Sequence, residues 1–426
     1  MNVYFHTFGC KANQYDTALV RQAFADQGVV VVDDPAAADL AVVNSCTVTH
    51  ESEAKLGRLV RRLARRGGGG GGRLETVVMG CAAARDGGAI AALPSVRAVV
   101  GGADPARVLE AAGFRAPRVD PVLRRFPANA RGWLKIQDGC DEHCTFCATT
   151  LARGASRSRT IPELVAEATA LAGHHAEIVL TGVHIGTYCQ DRSTLGDLLE
   201  ALISAVPQVR FRLSSIEATE VDDTIARLLI EAPAHLAAHL HAPLQSGANR
   251  ILKRMGRHWY TAESYRARLD WLAERLPVFG LGADIIAGFP GESDAEHRQT
   301  IALVDALPFT YLHVFPYSAR NGTEATGRPG HVDRATIARR AARLRALGTA
   351  KAAAFRRALV GRAEDALVLE TRDRATRDLV GLTGNYVEVV FAGPDALMRR
   401  VVQVRVTAVE ADVRGELVGS PHGAHG

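Results

Sequence analysis

No stretch of these 426 residues is apolar for long enough to cross a bilayer. The opening "MNVYFHTFGC" has neither the basic start nor the apolar core of a secretory signal. Cytoplasm is the expectation that follows. Charge of one sign is also scarce: the formal net charge is +5, which permits a nucleic-acid partner without demanding one. Cysteine is sparse, with seven in all, an odd number and unevenly placed. Both features weigh against a disulfide framework and toward metal or redox chemistry. The balance of 47% hydrophobic and 23% charged residues is that of a globular chain, and the length suits two or three domains.

What is present is concentrated in "DGCDEHCTFC", residues 138–147, where Cys140, Cys144 and Cys147 are spaced C-x3-C-x2-C. Structural zinc takes four ligands, usually as two close pairs, yet the remaining cysteines, at 10, 46, 81 and 189, contain no C-x2-C pair. Three thiolates suit an iron–sulfur cluster whose fourth iron stays open to a small molecule. Zinc remains the alternative on spacing alone.

Downstream of residue 130, short strands alternate with helical patterns: "WLKIQ" (133–137), "EIVLTG" (177–182), "RFRLSS" (210–215), "AHLHA" (238–242), "GADIIAG" (282–288) and "YLHVFP" (311–316). Such βα units in series predict an α/β fold with a parallel sheet curled into a partial (β/α)6 barrel. Loops after such strands share one face, so the cysteine triplet, which follows the first strand, lies on it. Residues 1–120 read as a separate α/β unit with strands "VYFHTFG", "LAVVNS", "TVVMG" and "RAVVGG" and helices at 14–27 and 51–66. The "GGGGGG" run at 67–72 is expected to be a flexible loop. Cys10, Cys46 and Cys81 each close a strand, in "HTFGC", "VVNSC" and "VVMGC". They therefore fall along the carboxyl edge of one sheet, where α/β proteins place their sites. Buried core thiols are the plainer alternative. Cys189, in "GTYC", reads as incidental. Residues 359–420 change to short strands, "DALVLET", "YVEVVFA", "RRVVQVRVTAVEA" and "GELVG", which predict a small all-β barrel of OB-like size. The closing "GSPHGAHG" is expected to be disordered.

"TFGCKANQYD", "VVNSCTVT", "GCDEHCTFC", "EIVLTGVHIGTY", "RLSSIE", "HLHAPLQSG", "ADIIAGFPGE" and "HVFPYSARNGTEA" together resemble the radical SAM methylthiotransferases, over nearly the whole chain. "TFGCKANQYD" and "LTGVHIG" are most similar to the branch that acts on N6-threonylcarbamoyladenosine beside the tRNA anticodon. The resemblance implies an N-terminal methylthiotransferase domain (1–120), a radical SAM domain (126–358) and a C-terminal TRAM domain (359–420). It implies two [4Fe-4S] clusters, one on Cys140, Cys144 and Cys147 with S-adenosylmethionine (SAM) on its open iron, and an auxiliary one on Cys10, Cys46 and Cys81. The chemistry implied is replacement of an adenine C2–H by C–S–CH3, with no side chain acting as acid or base. An electron donor such as flavodoxin or ferredoxin and a sulfur donor would be needed, and no membrane. Isopentenyladenosine in tRNA, or an aspartate of a ribosomal protein, is the alternative substrate. A metal-stabilised RNA-binding protein is the alternative without catalysis.

Other residues acquire expectations within this frame. In "TGVHIG", Gly182 and Gly186 stand where the superfamily has a turn that binds the methionine amino group, though its Glu is absent here. Arg212, Ser214 and Ser215 end the third strand and would meet the ribose or carboxylate of SAM. Phe146 would shield cluster and adenine, while His239 and His241 share a strand face and read as structural. After Cys147 the family's aromatic and proline are replaced in "ATTLARG", which keeps Arg153 and Gly154 and puts substrate positioning in question. Between 331 and 360 seven arginines and one lysine face the single acid Asp333, and Arg339, Arg340 and Arg343 are expected to touch RNA phosphates.

Overall fold

The structure, a computed structural model, describes the chain except for residues 48–49, 66–72, 116, 127–128, 277 and 420–426, and the side chains of 50 and 51. The predicted glycine loop and all but the first residue of the predicted disordered tail lie outside the described residues.

At the N-terminus five parallel strands stand in the order Val30–Val32, Asn2–Thr7, Leu40–Ser45, Glu75–Gly80, Val96–Gly101. The short strand Val30–Val32 is an addition to the sequence reading. Leu40–Ser45 is buried along its whole length, so its residues serve two cores. Val42 packs with Val77 and Phe24 on one face, and Val43 with Val78 and Leu59 on the other. The helix Lys11–Asp26 follows the first strand and leans against the barrel, where its Asp16 pairs with Lys135.

Six parallel strands then form an arc as two three-stranded sheets. One holds Arg131–Lys135, Glu177–Thr181 and Arg210–Leu213; the other holds His239–His241, Gly280–Ala287 and Tyr311–Pro316. Single bridges, Phe211 to Leu236 and Ser215 to His241, join them. Two helices, Asn249–Arg254 and Ala262–Arg275, occupy the interval where the sequence reading has one. Residues paired in register share a face, so Arg131, Glu177 and Arg210 point together into the barrel, with Arg212 two residues on. That interior therefore holds a cluster of charged residues.

The C-terminal strands close into a barrel in the order Ala363–Arg372, Leu379–Thr383, Glu388–Phe391, Val413–Leu417, Val401–Val409, around Val368, Val389, Phe391 and Val404. Its turn at 383–386 docks into the six-stranded arc. There Arg212 donates to the carbonyls of Thr383 (3.0 Å) and Gly384 (2.9 Å), and Tyr386 stacks on His239 at 4.5 Å. This corrects the expectation for Arg212: it is 1% exposed, held by Glu177 at 2.9 Å, and turned toward the small barrel instead of toward a cofactor.

Glu177 is fully buried between Arg210 and Arg212. Burial alone would raise its pKa, but Arg212 and then Arg210 outweigh it and hold the carboxyl at about 2, below the ordinary 4.5. A depressed carboxylate contributes stability that is present above pH 4.5 and lost as pH falls toward 2. Glu177→Gln is therefore expected to destabilise the protein by about 3–5 kcal/mol near neutral pH. Urea unfolding followed across that pH range is expected to show the difference between wild type and variant shrinking as the medium is acidified.

A second correction concerns the basic helix Arg334–Ala358. Arg340 is buried and pairs with Glu292 at 2.8 Å and Asp294 at 2.6 Å, so it fixes the helix to the barrel and presents nothing to phosphate. Arg339 and Arg343 are exposed.

Candidate functional site

The cysteine triplet sits on the loop that leaves the first barrel strand. Gly139, at φ +73°, brings this loop against Gly154 and Ala155, where a Cβ would overlap the Ala155 carbonyl. Cys140 N donates to the Gly154 carbonyl (3.0 Å), and Cys147 N to that of Cys144 (3.0 Å). The sulfurs in turn collect donors: Glu142 N on Cys140 (3.4 Å), Thr149 N on Cys147 (3.3 Å) and Arg257 Nη1 on Cys144 (3.5 Å).

The other three thiols stand at the carboxyl ends of neighbouring strands. Cys10 precedes the helix Lys11–Asp26, Cys46 follows Leu40–Ser45, and Cys81 begins the short helix after Glu75–Gly80. They gather around Asn13, whose Oδ1 lies 3.8 Å from both the Cys10 and the Cys81 sulfur. Asn13 is fixed by its own Nδ2, which donates to the carbonyls of Phe8 and Ser45 at 3.0 Å each. Gly9, at φ +105°, passes so close that a Cβ would lie 2.9 Å from the Cys46 sulfur.

All six sulfurs open on one cavity of about 380 Å³. Arg153 ties its two halves together. Its Nε donates to Cys81 Sγ (3.3 Å), Nη2 to Asn13 (2.7 Å) and Asp16 (2.8 Å), and Nη1 to Asp138 (2.8 Å). Burial would raise the Asp138 pKa, but Lys135 and Arg153 hold it down at about 2. Burial pushes Cys81 and Cys144 up to about 11, against the pull of Arg153 and Arg257 respectively. Those two thiols are thus protonated until a metal takes the proton's place.

The donor sets fit iron–sulfur clusters on their own terms. Each set offers three sulfurs, and two of the six, Cys81 and the half-buried Cys144, are thiols whose deprotonation a metal would drive. Backbone N–H groups already point at two of the sulfurs, the hydrogen bonding that cluster thiolates receive.

Of the residues expected to meet a cofactor, Phe146, Gly182, Ser214 and Ser215 line the cavity. Gly186 does not. A Cβ there would fall on the Glu220 carboxylate, against which this turn packs. His239 and His241 both meet the Tyr311 hydroxyl, at 2.8 and 3.0 Å, and His241 also bonds Asp284 at 2.9 Å. Cys189 is exposed and apart from both sets.

Several cavity or near-cavity residues were not foreseen from the sequence, among them Lys11, Gln137, His184 and Arg257. Gln137 is the most telling. Its Oε1 accepts from Val183 N (3.0 Å) and His184 N (2.9 Å) while its Nε2 donates to the Gly139 carbonyl (2.7 Å), so one side chain sets the "TGVHIG" turn against the cysteine loop. His184 reaches Cys140 Sγ at 3.8 Å and Glu220 at 2.7 Å. Burial would lower its pKa, but these two partners raise it to about 9. Adjacency to the cysteine motifs in "GCK" and "KIQDGC" was the available signal for Lys11 and Gln137.

Comparison with known proteins agrees with this layout. Residues 2–101 match the Uncharacterized protein family UPF0004, and residues 134–304 the Radical SAM superfamily. The chain is 35% identical to the threonylcarbamoyladenosine tRNA methylthiotransferase MtaB of Bacillus subtilis, covering 95% of this chain and 93% of that protein. It is 32% identical to the tRNA-2-methylthio-N(6)-dimethylallyladenosine synthase of Methylococcus capsulatus, over 99% and 96%. Among solved structures, the radical S-adenosylmethionine methyltransferase TsrM of Kitasatospora setae shares the fold at a TM-score of 0.59 and 15% identity, covering 76% of this chain and 77% of that one.

Proposed function

The chain belongs to the radical SAM methylthiotransferase family, and from that premise we propose that it methylthiolates C2 of N6-threonylcarbamoyladenosine in tRNA, next to the anticodon. The observation that carries the reading is the meeting of two three-cysteine sets in one cavity. Cys140, Cys144 and Cys147 would hold the [4Fe-4S] cluster of the superfamily, and Cys10, Cys46 and Cys81 an auxiliary one. Together with SAM these groups would supply radical generation and a sulfur atom, so that an unactivated C–H bond could be replaced without a protein acid or base.

The chain's own residues position and enclose. Gln137 fixes the "TGVHIG" backbone, and Gly182 lets that turn pack directly on Gln137, where a Cβ would lie 2.8 Å from its carbonyl, at the wall of the cavity. Ser214 and Ser215 offer hydroxyls on the same cavity, and Phe146 covers one wall with Phe289 behind it at 6.3 Å. Arg153 keeps the two cysteine sets in a fixed relation across the domain boundary. An external electron donor of the flavodoxin or ferredoxin kind and a sulfur donor complete the reaction. Reconstituting the protein anaerobically with iron and sulfide, then supplying SAM, reductant and a threonylcarbamoyladenosine stem-loop, tests the reading. A methylthio product by mass spectrometry supports it, and product from the dimethylallyladenosine stem-loop alone refutes it.

The tRNA would lie along the helix Arg334–Ala358 and the small barrel. With Arg340 committed to Glu292 and Asp294, Arg339 and Arg343 are the residues to neutralise. Replacing both with Gln is expected to flatten the plot of log affinity against log salt by roughly 0.7–0.9 for each phosphate no longer engaged. Anisotropy across a salt series measures it, and an unchanged slope would make this a solvated face. Deleting the small barrel is the poorer test, because its turn supplies the carbonyl partners of Arg212.

A further inference from the structure

Inside the barrel, close to the cysteine cavity, several hydrogen-bond donors have no acceptor among the described residues. Lys11 lines the cavity beside Cys10, and among those residues no hydrogen bond or ion pair engages its ammonium. Arg131 Nε and Nη1 are buried without a partner there, as is Nδ1 of His239, a residue only 3% exposed. Lys11 lies within electrostatic reach of Arg131, Arg212 and Tyr386, and His239 of Lys11, Arg131 and Arg212.

The neighbouring carboxylates are already committed. Glu177, the register partner of Arg131, pairs with Arg210 and Arg212. Asp284 lines the same cavity but accepts from His241 (2.9 Å) and His313 (3.1 Å). Cations are therefore in excess around Lys11, which itself lines the cavity. Native proteins seldom leave buried donors unpaired, and an anion bound here would satisfy them together. Tyr386, stacked on His239, provides a flat wall beside them.

We propose that Lys11 and Arg131 form a carboxylate subsite that receives the free carboxylate of the threonylcarbamoyl group on the target adenosine. This rests on the functional reading above and adds to it the residues that select the substrate. A threonylcarbamoyl group ends in a carboxylate, whereas a dimethylallyl group is a hydrocarbon. The first completes a charge-assisted pair; the second leaves the cations unpaired, and a site built for a polar group rejects the analogue that lacks it. The methionine carboxylate of SAM has the same chemistry, and the test separates the two.

The test uses the full chain with its clusters reconstituted. Its probes are anticodon stem-loops carrying threonylcarbamoyladenosine, the methyl ester of its threonine, or dimethylallyladenosine. Fluorescence anisotropy gives RNA affinity, and equilibrium dialysis gives SAM affinity. Wild type is expected to prefer acid over ester by roughly tenfold to a hundredfold, the worth of a charge-assisted bond. Lys11→Met and Arg131→Met are each expected to erase most of that preference, with affinity for the ester RNA unchanged. Lys11→Arg keeps the charge and is expected to keep the preference. Retention of the full preference in both Met variants overturns the proposal. So does a loss confined to SAM affinity, which would give the carboxylate to methionine. Equal binding of acid and ester by wild type overturns the subsite and leaves the functional reading standing. Wild-type preference for the dimethylallyl RNA over both removes the functional reading and the subsite with it.

Discussion

Replacing Cys10, Cys46 and Cys81 together with Ala is expected to abolish methylthiolation while reductive cleavage of SAM to 5′-deoxyadenosine continues at roughly the wild-type order of magnitude. The six sulfurs share a cavity but hang from different elements. The triplet loop is held by its own backbone bonds, by Gln137 and by Arg257, none of which needs the N-terminal thiols. Arg153 would no longer reach a sulfur at position 81 yet would keep Asn13, Asp16 and Asp138, so the interface between the two halves survives. Chromatography of 5′-deoxyadenosine and mass spectrometry of the RNA nucleosides read the two outcomes separately. A methylthio product from this variant would mean that sulfur is handled elsewhere.

Replacing Cys140, Cys144 and Cys147 with Ala is expected to have the opposite reach. Iron should fall by about half, and SAM cleavage should fall to background, because a cluster held by three thiolates does not survive their loss. On the proposed function the remaining iron would sit with Cys10, Cys46 and Cys81. Arg257 makes the loss sharper. It is buried between Glu217, Tyr260 and Cys144, so removing the Cys144 sulfur also takes one partner from a buried cation. Iron and sulfide analysis after anaerobic purification measures this. Stoichiometric zinc with no iron in the wild type would contradict it.

Much of this site was legible in the sequence because its parts recur at strand ends. A cysteine that closes "VVNSC" or "VVMGC" reads as lying at a carboxyl edge once the strand is recognised, and the structure has Cys46 and Cys81 there. The barrel strands were legible for the same reason, as short apolar runs ahead of helical patterns. Arg212 and Arg340 were not. Each looks like a free cation in its own segment, and each is consumed by a partner far along the chain: Glu177 and the 383–386 turn for one, Glu292 and Asp294 for the other. Gln137 and Lys11 do not stand out in the sequence because their importance lies in what faces them across the fold. The strand Leu379–Thr383 is hidden because a glycine and the following turn residues dilute its β pattern, and only closure of the barrel supplies its partners.

The most direct test of the whole account is the tRNA nucleoside profile of a strain deleted for this gene. In that strain 2-methylthio-N6-threonylcarbamoyladenosine is expected to disappear, its unthiolated parent to accumulate, and methylthio-dimethylallyladenosine to stay at wild-type levels. Restoration by the wild-type gene, and not by the variant lacking Cys140, Cys144 and Cys147, is expected to follow. A deletion strain whose threonylcarbamoyl nucleosides are unchanged, or whose dimethylallyl nucleosides alone lose the methylthio group, would contradict it.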